Sequence, residues 1–395
     1  MNIGIAAPVE IKSLSRHLAN LKNEDLKLGL GGTAVNILIT GLLDEGHKVI
    51  VFTLDANIKK KYVLEGPNLK VIIGHFRISS KLKWFDFCRK EYKQIQKFIE
   101  EEKSNLDIVN AHWSYEFAIG TILAKVIHVI TFRDYAPTIL KLFKYHPYRF
   151  FRLLMDYWVR KNGKYFSFNS AYLKEKIKIK IKTPIEGDVI PNPVKDDNIK
   201  NGRKFPFQKS IIDICFIANG WSYIKNPENA IKGFLKAKDE IDNIRLHLIG
   251  NGYEKKAEYL QEFLNNKNGE AILCWGKLAH NVLIDRLSAF DILLHTSREE
   301  SFGNNIIEAM AAGIPIIAGK NSGAVSWVAE NGKSGLLIDI ENTLDISTAI
   351  KSLILDPEKY ETLSKRGIEN VKNRFNVKKV TQQYINLYNR VLFGN

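Results

Sequence analysis

Short runs of β-branched and apolar residues alternate along almost the whole chain with stretches whose apolar positions recur at helical spacing. Continuous apolar runs separated by amphipathic helices are typical of parallel sheets that helices cover on both faces. In the first half the pattern predicts strands at Asn2–Ala6, Lys48–Thr53, Lys70–Ile73, Asp107–Ala111, Ile127–Phe132 and Tyr165–Phe168. In the second half it predicts strands at Ile211–Ile217, Arg245–Ile249, Ala271–Trp275, Asp291–His295, Ile314–Ala318 and Gly335–Ile338. Two such series indicate an α/β protein with two doubly wound, Rossmann-like domains.

The length agrees with two domains, because 395 residues exceed what one hydrophobic core usually organises. The boundary is expected near residues 190–208, where IPNPV carries two prolines and a polar segment without periodicity follows. We therefore expect an N-terminal domain over residues 1–190 and a C-terminal domain over residues 191–376. Residues 377–395 again have helical spacing, and we expect this last helix to pack back on the N-terminal domain.

Positive charge is concentrated in the first half of the chain. Residues 1–190 contain 31 basic and 19 acidic residues, whereas residues 191–395 contain 27 and 24. Basic residues are interleaved with aromatic ones in residues 84–103 and 145–182, and they alternate with isoleucines at Lys176, Lys178, Lys180 and Lys182, as one face of an extended stretch would require. An anionic membrane surface or an acidic acceptor would explain this charge, and so would a solvated surface without any single partner. No nucleic-acid-binding motif is present, so a nucleic-acid partner is not expected.

The cysteines and the ends of the chain bear on the compartment. Cys88, Cys215 and Cys274 show neither a pairing pattern nor metal-ligand spacing, which favours reduced thiols. We expect no signal peptide, because the first residues show no cationic start before their apolar run, and no membrane span, because no uncharged stretch approaches the ~20 residues that a span needs. We therefore expect a cytoplasmic protein, and peripheral attachment to the inner face of the cell membrane stays open. No metal site is expected, because no D-x-D carboxylate pair follows a strand.

The most informative motif follows the predicted strand at DILLHTS. A loop, REESFGNN, leads into a helix, IIEAMAAG, that ends at Gly313. Glu300 and Glu308 are separated by seven residues, and Gly303 permits a close backbone approach just before a helix start that can bind an anion. Carboxylates suit sugar hydroxyls, and free backbone amides suit phosphate. This combination indicates a nucleotide-sugar site.

The segment ESFGNNIIEAMAAGIPIIA closely resembles the E-x(7)-E signature of retaining glycosyltransferases with the GT-B architecture, specifically family 4. The resemblance covers residues 211–339 well and the N-terminal half loosely. It implies two Rossmann-like domains that face a central cleft, with the acceptor on the N-terminal side and the nucleotide-sugar donor on the C-terminal side. It also implies a metal-independent front-face displacement in which the donor is a substrate and no cofactor is needed.

The same resemblance implies roles for individual residues. Glu300 would bind donor-sugar hydroxyls, Glu308 the ribose, and Lys225 the diphosphate, while Asn219 stands where the family usually has arginine. The donor site would also include Gly31, Gly32, Gly250, Gly276, Ser301, Phe302, Gly303 and Asn304. His112 would contact a donor hydroxyl or the charge that develops near the anomeric carbon, so the predicted catalytic residues are His112, Lys225 and Glu300. Arg133 and Asp134 would lie on the acceptor side.

These features predict a retaining hexosyltransferase-type enzyme that uses a nucleoside-diphosphate sugar. Its acceptor would be a glycan or a lipid-linked glycan. The expected setting of the reaction is surface polysaccharide synthesis. Two alternatives stay open at this point. One is another GT-B sugar-nucleotide enzyme such as an epimerase, although epimerases normally lack this signature. The other is a non-catalytic basic binding protein, which the net charge of +15 would suit.

Overall fold

The computed structural model describes residues 1–79, 83, 85–179, 186–206 and 209–394. The chain divides into two compact units: Met1–Pro193 with Val377–Asn395, and Val194–Asn376. The division after Pro193 falls within the polar, proline-bearing segment at residues 190–208. Some residues of the segments singled out in the sequence lie outside the described residues, namely Trp84, Lys180, Lys182, Phe207 and Gln208.

The first unit is built on an eight-stranded sheet with the order β3-β4-β2-β1-β5-β6-β7-β8. Its strands are β1 Asn2–Ala6, β2 Lys48–Asp55, β3 Tyr62–Glu65, β4 Leu69–His75, β5 Ile108–His112, β6 His128–Phe132, β7 Tyr165–Phe168 and β8 Asp188–Val189. All neighbouring pairs are parallel except β3 and β4, which pair antiparallel.

The second unit is built on a six-stranded sheet, all parallel, with the order β11-β10-β9-β12-β13-β14. Its strands are β9 Ile212–Ile217, β10 Ile244–Ile249, β11 Ile272–Gly276, β12 Ile292–His295, β13 Ile316–Gly319 and β14 Leu336–Ile338. In both units the first strand is central, which is the doubly wound arrangement that the alternating pattern predicts.

Helices connect the strands. In the first unit they are α1 Ile11–Leu14, α2 Thr33–Asp44, α3 Arg89–Glu102, α4 Glu116–Leu123, α5 Ala136–Leu142, α6 Pro147–Asn162 and α7 Ala171–Ile179. In the second unit they are α8 Pro227–Lys238, α9 Gln261–Leu264, α10 His280–Leu287, α11 Asn304–Ala311, α12 Val325–Val328, α13 Thr343–Leu355 and α14 Pro357–Arg374. Short 3₁₀ segments lie at Ser15–His17, Asp25–Lys27, Lys103–Asn105, Asp196–Asn198, Glu258–Leu260, Gly269–Ala271 and Glu330–Gly332.

Two strands were absent from the sequence prediction, and one segment considered as extended is helical. Strand β3 was not predicted, and it is antiparallel because only the short loop at residues 66–68 joins it to β4, too short for a parallel crossover. Strand β8 spans two residues and carries no periodic signal. The extended form considered for the stretch around Lys176 is not observed, since the structure forms α7 up to Ile179. Leu173 and Ile177, four residues apart, are buried on one helical face.

The core of each unit lies on both faces of its sheet. Alternate residues of β2 enter different hydrophobic clusters: Val49 and Val51 pack in one, and Phe52 and Leu54 in the other. The second unit has the same division between Ile317 and its neighbour Ile316. Because side chains of a strand alternate between faces, apolar residues at successive positions are buried only when helices cover both sides.

The last helix, α15 Val377–Phe393, belongs to the first unit and packs on α2. The approach is so close that a Cβ atom at Gly41 would lie 2.1 Å from Thr381 Oγ1. Tyr388 is fully buried and its hydroxyl accepts a hydrogen bond of 2.8 Å from Asn110 Nδ2 in β5. The helix therefore completes one face of the first sheet.

None of the helices in the described ranges combines the length and the apolar character that a bilayer crossing demands.

Candidate functional site

The carboxyl end of β12 is tied to the loop that precedes α8. Thr296, the first residue after the strand, donates from its Oγ1 to the carbonyl of Asn226 at 2.8 Å. The amide of Arg298 donates to the carbonyl of Ile224 at 2.7 Å. These two bonds hold the loop that carries Lys225 against the segment that carries Glu300.

Lys225 and Glu300 form an ion pair as a result. The ammonium of Lys225 lies 2.6 Å from Glu300 Oε1, and both side chains are largely shielded from solvent, with 27% and 17% of their surface exposed. Burial by itself would raise the pKa of Glu300, but the charge of Lys225 and the ring of His295 outweigh it and hold that pKa well below its ordinary range. Glu300 is therefore ionised at any physiological pH.

His295 is a neighbour of this pair that the sequence analysis did not single out. It is the last residue of β12, it is buried, and its Nε2 lies 3.5 Å from Glu300 Oε1. Neither ring nitrogen has a hydrogen-bond partner among the described residues. A polar residue that ends an otherwise apolar strand next to the motif was the available signal.

The loop after Glu300 turns into α11 through Gly303, whose φ of +96° is in the left-handed region that glycine tolerates. Ser301 lies in this loop, and Asn304 is the first residue of the helix. Phe302 is buried against the rings of Trp327 and Phe375, so its side chain anchors the loop in the core. The backbone of the loop and the helix start are thereby fixed beside Glu300.

Glu308 has a different partner from Glu300. It lies in α11, and its Oε1 is 2.8 Å from Nε2 of His280, the first residue of α10. Glu308 also lines a cavity of about 350 Å³ together with Asp197, Asn198, Lys200, Ile284, Asp285, Leu287, Ser288 and Ala312. The sequence analysis missed His280, which carries no motif of its own.

Asn219, Gly250 and Gly276 take part in hydrogen bonds that connect the ends of β9, β10 and β11. Asn219 Oδ1 accepts from the amide of Asn251 at 3.2 Å, and the amide of Gly250 donates to the carbonyl of Gly276 at 2.8 Å. A Cβ atom at Gly250 would lie 1.7 Å from the carbonyl oxygen of Ala218, so only glycine fits this junction. Asn219 thus joins two loops and contributes no charge.

In the first unit, Gly31 and Gly32 precede α2, both with φ near +90°. The two differ in their surroundings. A Cβ atom at Gly32 would lie 2.2 Å from the carbonyl oxygen of Pro8, whereas one at Gly31 would meet no atom within 4 Å. Gly32 is therefore required by packing, and Gly31 borders open space.

His112 and Arg133 follow adjacent strands and meet. His112 ends β5 and is fully buried, and its Nδ1 lies 2.9 Å from Nη2 and 3.2 Å from Nε of Arg133. Arg133 Nη1 donates to Asn192 Oδ1 at 2.6 Å. Burial and the Arg133 charge lower the pKa of His112 well below its ordinary value. His112 Nε2 has no partner within the described part of the chain.

Asp134, although next to Arg133 in sequence, belongs to a separate polar cluster. Its Oδ1 accepts from the hydroxyl of Tyr115 at 2.9 Å, and burial raises its pKa. The guanidinium of Arg152 lies 3.5 Å from the centre of the Tyr115 ring and pairs with Glu116 at 2.6 Å. The structure therefore brings His112 together with Arg133, and Lys225 together with Glu300, while Asp134 and Glu308 have partners of their own.

Throughout the described ranges, no group of three or more His, Cys, Asp or Glu side chains is arranged to hold a metal ion.

Two family models match the chain in succession. "Glycosyltransferase Family 4" matches residues 31–198, and "Glycosyl transferases group 1" matches residues 199–370. The chain is 32% identical over 159 residues to the lipopolysaccharide core biosynthesis glycosyltransferase LpsD of Rhizobium meliloti, a match that covers 40% of this chain and 45% of LpsD. It is 30% identical over 169 residues to N-acetyl-alpha-D-glucosaminyl L-malate synthase of Bacillus anthracis, covering 43% of each. These matches span less than half of either relative.

Solved structures share the whole fold at low identity. Sucrose-phosphate synthase from Thermosynechococcus elongatus superposes with a TM-score of 0.73 at 17% identity and covers all of both chains. Anabaena HepE, solved in complex with UDP-glucose, gives a TM-score of 0.67 at 17% identity over 98% of each chain. The two Rossmann-like units thus have the GT-B fold.

Proposed function

The chain belongs to the group 1 glycosyltransferases of family 4 type, and we propose that it transfers a sugar from a nucleoside-diphosphate donor to a glycan or lipid-linked acceptor with retention of configuration. The observation that carries this proposal is the Lys225–Glu300 pair next to the glycine-opened start of α11. Family membership favours this activity over the epimerase and over a non-catalytic basic protein.

The chemistry of the pair suits a donor sugar diphosphate. An ionised carboxylate such as Glu300 accepts hydrogen bonds from sugar hydroxyls, and a lysine ammonium binds phosphate oxygens as a point charge. The start of α11 adds backbone amides that favour negative charge. Stabilising a departing diphosphate is the main catalytic requirement for such a transfer, because charge develops on that group in the transition state.

Further support comes from relatives. HepE was solved with UDP-glucose, and LpsD is named for lipopolysaccharide core biosynthesis. By analogy we propose Glu308 as the contact to the ribose, His112, Gly31 and Gly32 as further substrate contacts, and Arg133 and Asp134 as residues of the acceptor side. Transfer by front-face displacement without a metal ion is part of the same proposal, as is a role in surface polysaccharide synthesis.

Donor binding and stereochemistry test the proposal. Ligand-observed NMR with UDP, GDP and ADP and their sugars should show one nucleotide sugar bound by the wild type and bound much more weakly by Glu300→Gln. Glu258→Gln, on an exposed segment of the same unit, is the matched control and should bind like the wild type. The anomeric coupling constant of the product should match that of the donor. Inversion, or equal donor binding by Glu300→Gln and the wild type, would contradict the proposal.

We also propose that the first unit attaches to an anionic membrane surface through one face of α6. Phe150, Leu154 and Tyr157 lie on that face, and 49%, 40% and 59% of their surfaces are exposed. Residues 135–174 contain eight Lys or Arg residues and a single acidic residue, Asp156, which is buried and pairs with Arg160. Exposed aromatic and aliphatic side chains among basic ones are typical of helices that lie in a bilayer interface.

Vesicle co-sedimentation tests this attachment. The wild type should bind anionic vesicles and release them as salt rises, because exposed charges are screened within about 10 Å at 0.1 M. Binding should be lost in Phe150→Ser with Tyr157→Ser, and kept in Leu355→Ser, an apolar residue of the second unit that is even more exposed. Equal binding to neutral and anionic vesicles, or no binding to either, would leave the charge as plain surface composition.

A further inference from the structure

We propose that Arg133 is a positioning residue that holds His112 as a single neutral tautomer with its proton on Nε2, so that the ring can only donate one hydrogen bond to a substrate oxygen. The inference rests on the proposed function solely for the identity of that oxygen. The state of the ring follows from the contacts within the first unit.

The first step is the direction of the hydrogen bonds between the two side chains. Arginine is always charged and has only N–H donors, so it cannot accept a hydrogen bond from the imidazole. Both Nη2 and Nε of Arg133 lie within 3.2 Å of His112 Nδ1. Nδ1 must therefore carry its lone pair, and the single proton of the neutral ring must be on Nε2.

The second step is that nothing around the ring favours its charged form. Burial and the neighbouring guanidinium both disfavour a positive charge and keep the pKa of His112 low. The ring of Tyr384, whose centre lies 6.2 Å away, also faces His112, and burial raises the pKa of its hydroxyl. His112 therefore remains neutral through the range in which histidine usually titrates.

The third step is that the orientation of Arg133 is itself fixed. Its Nη1 donates to Asn192 Oδ1 at 2.6 Å, so the guanidinium is held at both ends, by Asn192 and by His112. The hydrogen-bond acceptors that the described residues offer it are an amide oxygen and a ring nitrogen rather than a carboxylate. Its charge is therefore not neutralised by a direct ion pair and stays directed at Nδ1.

The consequence concerns Nε2. This nitrogen is buried and has no hydrogen-bond partner in the described residues, although burying a donor without an acceptor is unfavourable. A hydroxyl or phosphate oxygen of a bound substrate can satisfy it. The same ring cannot remove a proton from a substrate, because Nε2 is already protonated and Nδ1 is occupied by Arg133. His112 is thus a hydrogen-bond donor and is unsuited to act as a general base.

The first experiment observes the ring directly. Long-range ¹H–¹⁵N correlation spectra of the full chain with labelled histidine would be recorded from about pH 5 to about pH 8, the range of ordinary histidine titration. His112 is assigned by its loss in His112→Gln. We expect Nδ1 to have the shift of an unprotonated nitrogen and Nε2 that of a protonated one throughout. A proton on Nδ1, or titration within this range, would overturn the proposal.

The second experiment tests whether Arg133 is responsible. In Arg133→Met the spectra should show a mixture of both tautomers, whereas Arg133→Lys, which still offers an N–H donor, should keep Nδ1 unprotonated. Thermal melts show whether each variant folds. If Arg133→Met does not fold, the ¹⁵N shift of His112 Nδ1 in Arg133→Lys tests the proposal by itself. A single Nε2–H tautomer in folded Arg133→Met would show that Arg133 does not hold the ring.

The readout separates this inference from the proposed function, because it needs no substrate. If the ring is held as described but no nucleotide sugar binds, the proposed function fails and the inference about Arg133 stands. If a nucleotide sugar binds and turns over while the His112 ring titrates, the proposed function stands and the inference about Arg133 fails.

Discussion

Each unit places a buried histidine at the corresponding point of its sheet. The charged side chain next to this histidine is positive in the first unit and negative in the second. His112 ends β5, which pairs with the first strand of the first unit, and His295 ends β12, which pairs with the first strand of the second unit. His112 faces the guanidinium of Arg133, whereas His295 lies 3.5 Å from the carboxylate of Glu300. The chemical role of a histidine at this point therefore depends on the charge that the neighbouring loop supplies.

Buried carboxylates show the same contrast. Asp156 in the first unit pairs with Arg160 and accepts from Ser114, yet burial dominates and raises its pKa to about 6. Glu300 in the second unit pairs with Lys225, and the surrounding positive charge lowers its pKa. A nearby cation does not by itself decide the direction of a pKa shift, since the balance against desolvation differs between the two places.

Breaking the Lys225–Glu300 pair should have a large effect on turnover. Glu300→Gln leaves Lys225 without its counterion and removes a charged hydrogen-bond acceptor, so we expect kcat/KM to fall about 100-fold, or roughly 2.7 kcal/mol. Lys225→Ala should cost a similar amount, and the double variant should lose less than the sum because both changes break one pair. Full additivity in this cycle would show that the two side chains act independently.

Glu308→Gln extends this test within α11, because Glu308 contacts His280 instead of a lysine. We expect a loss of about tenfold, mainly in KM for the donor, since one charged hydrogen bond is replaced by a neutral one. Steady-state kinetics at varied donor concentration separate KM from kcat. Donor use like that of the wild type would argue against Glu308 in the donor site.

Exchanging the two histidines for apolar residues should separate their roles. His112→Leu removes the proposed hydrogen-bond donor, and we expect kcat to fall about 100-fold, as for other lost transition-state donors. In His295→Leu the Lys225–Glu300 pair persists, so we expect a smaller loss, of about tenfold. The pH profile of kcat should be unchanged in His112→Leu, because the wild-type ring does not titrate. A larger loss in His295→Leu than in His112→Leu would reverse the assignment.

The buried carboxylates should differ in how pH affects stability. The pKa of Asp156 is about 6 in the folded protein and about 3.9 in an unfolded chain, so between these values the folded form binds the extra proton. The unfolding free energy should therefore decrease as pH rises through this window, by about 2–3 kcal/mol from this group. Glu300, with a lowered pKa, loses stabilisation only at more acidic pH. Chemical denaturation of the wild type and Asp156→Asn measures the difference, and parallel pH profiles would contradict it.

Chelation should have the smallest effect. We expect turnover to continue in EDTA, because Lys225 and the start of α11 provide the positive potential that the diphosphate needs. The measurement is the initial rate before and after dialysis against EDTA, with Mn²⁺ added back. If EDTA abolished activity and Mn²⁺ restored it, Lys225 and the start of α11 would not suffice to stabilise the diphosphate.

Much of the fold could be predicted from residue patterns alone. Strands β1 and β7 match their predicted bounds, and the other predicted strands differ by one or two residues at an end, because continuous apolar runs have few alternatives to a covered parallel sheet. The exceptions were β3, which depends on a short loop, and β8, which is too short to show a period. The length that requires two domains, the excess of basic residues in the first half and the glycine before α11 could also be identified in the sequence.

The E-x(7)-E motif was also sufficient to identify the family, since spacing and residue type carry that information. It could not show which partner each carboxylate has. Glu300 and Lys225 are 75 residues apart, and they meet because Thr296 and Arg298 bind the Lys225 loop. The pairing of Glu308 with His280 depends in the same way on where two helices start.

Local sequence thus determined the strands, the helices, the motif and the family, because each depends on residues a few positions apart. The tertiary structure alone decided the electrical surroundings of the candidate residues. Arg133 and Asp134 are neighbours in the chain, yet one binds His112 and the other Tyr115, because successive residues leave the end of a strand in different directions. Charge, burial and hydrogen-bond direction at His112 and Glu300 are sums over distant segments, and only folding brings those segments together.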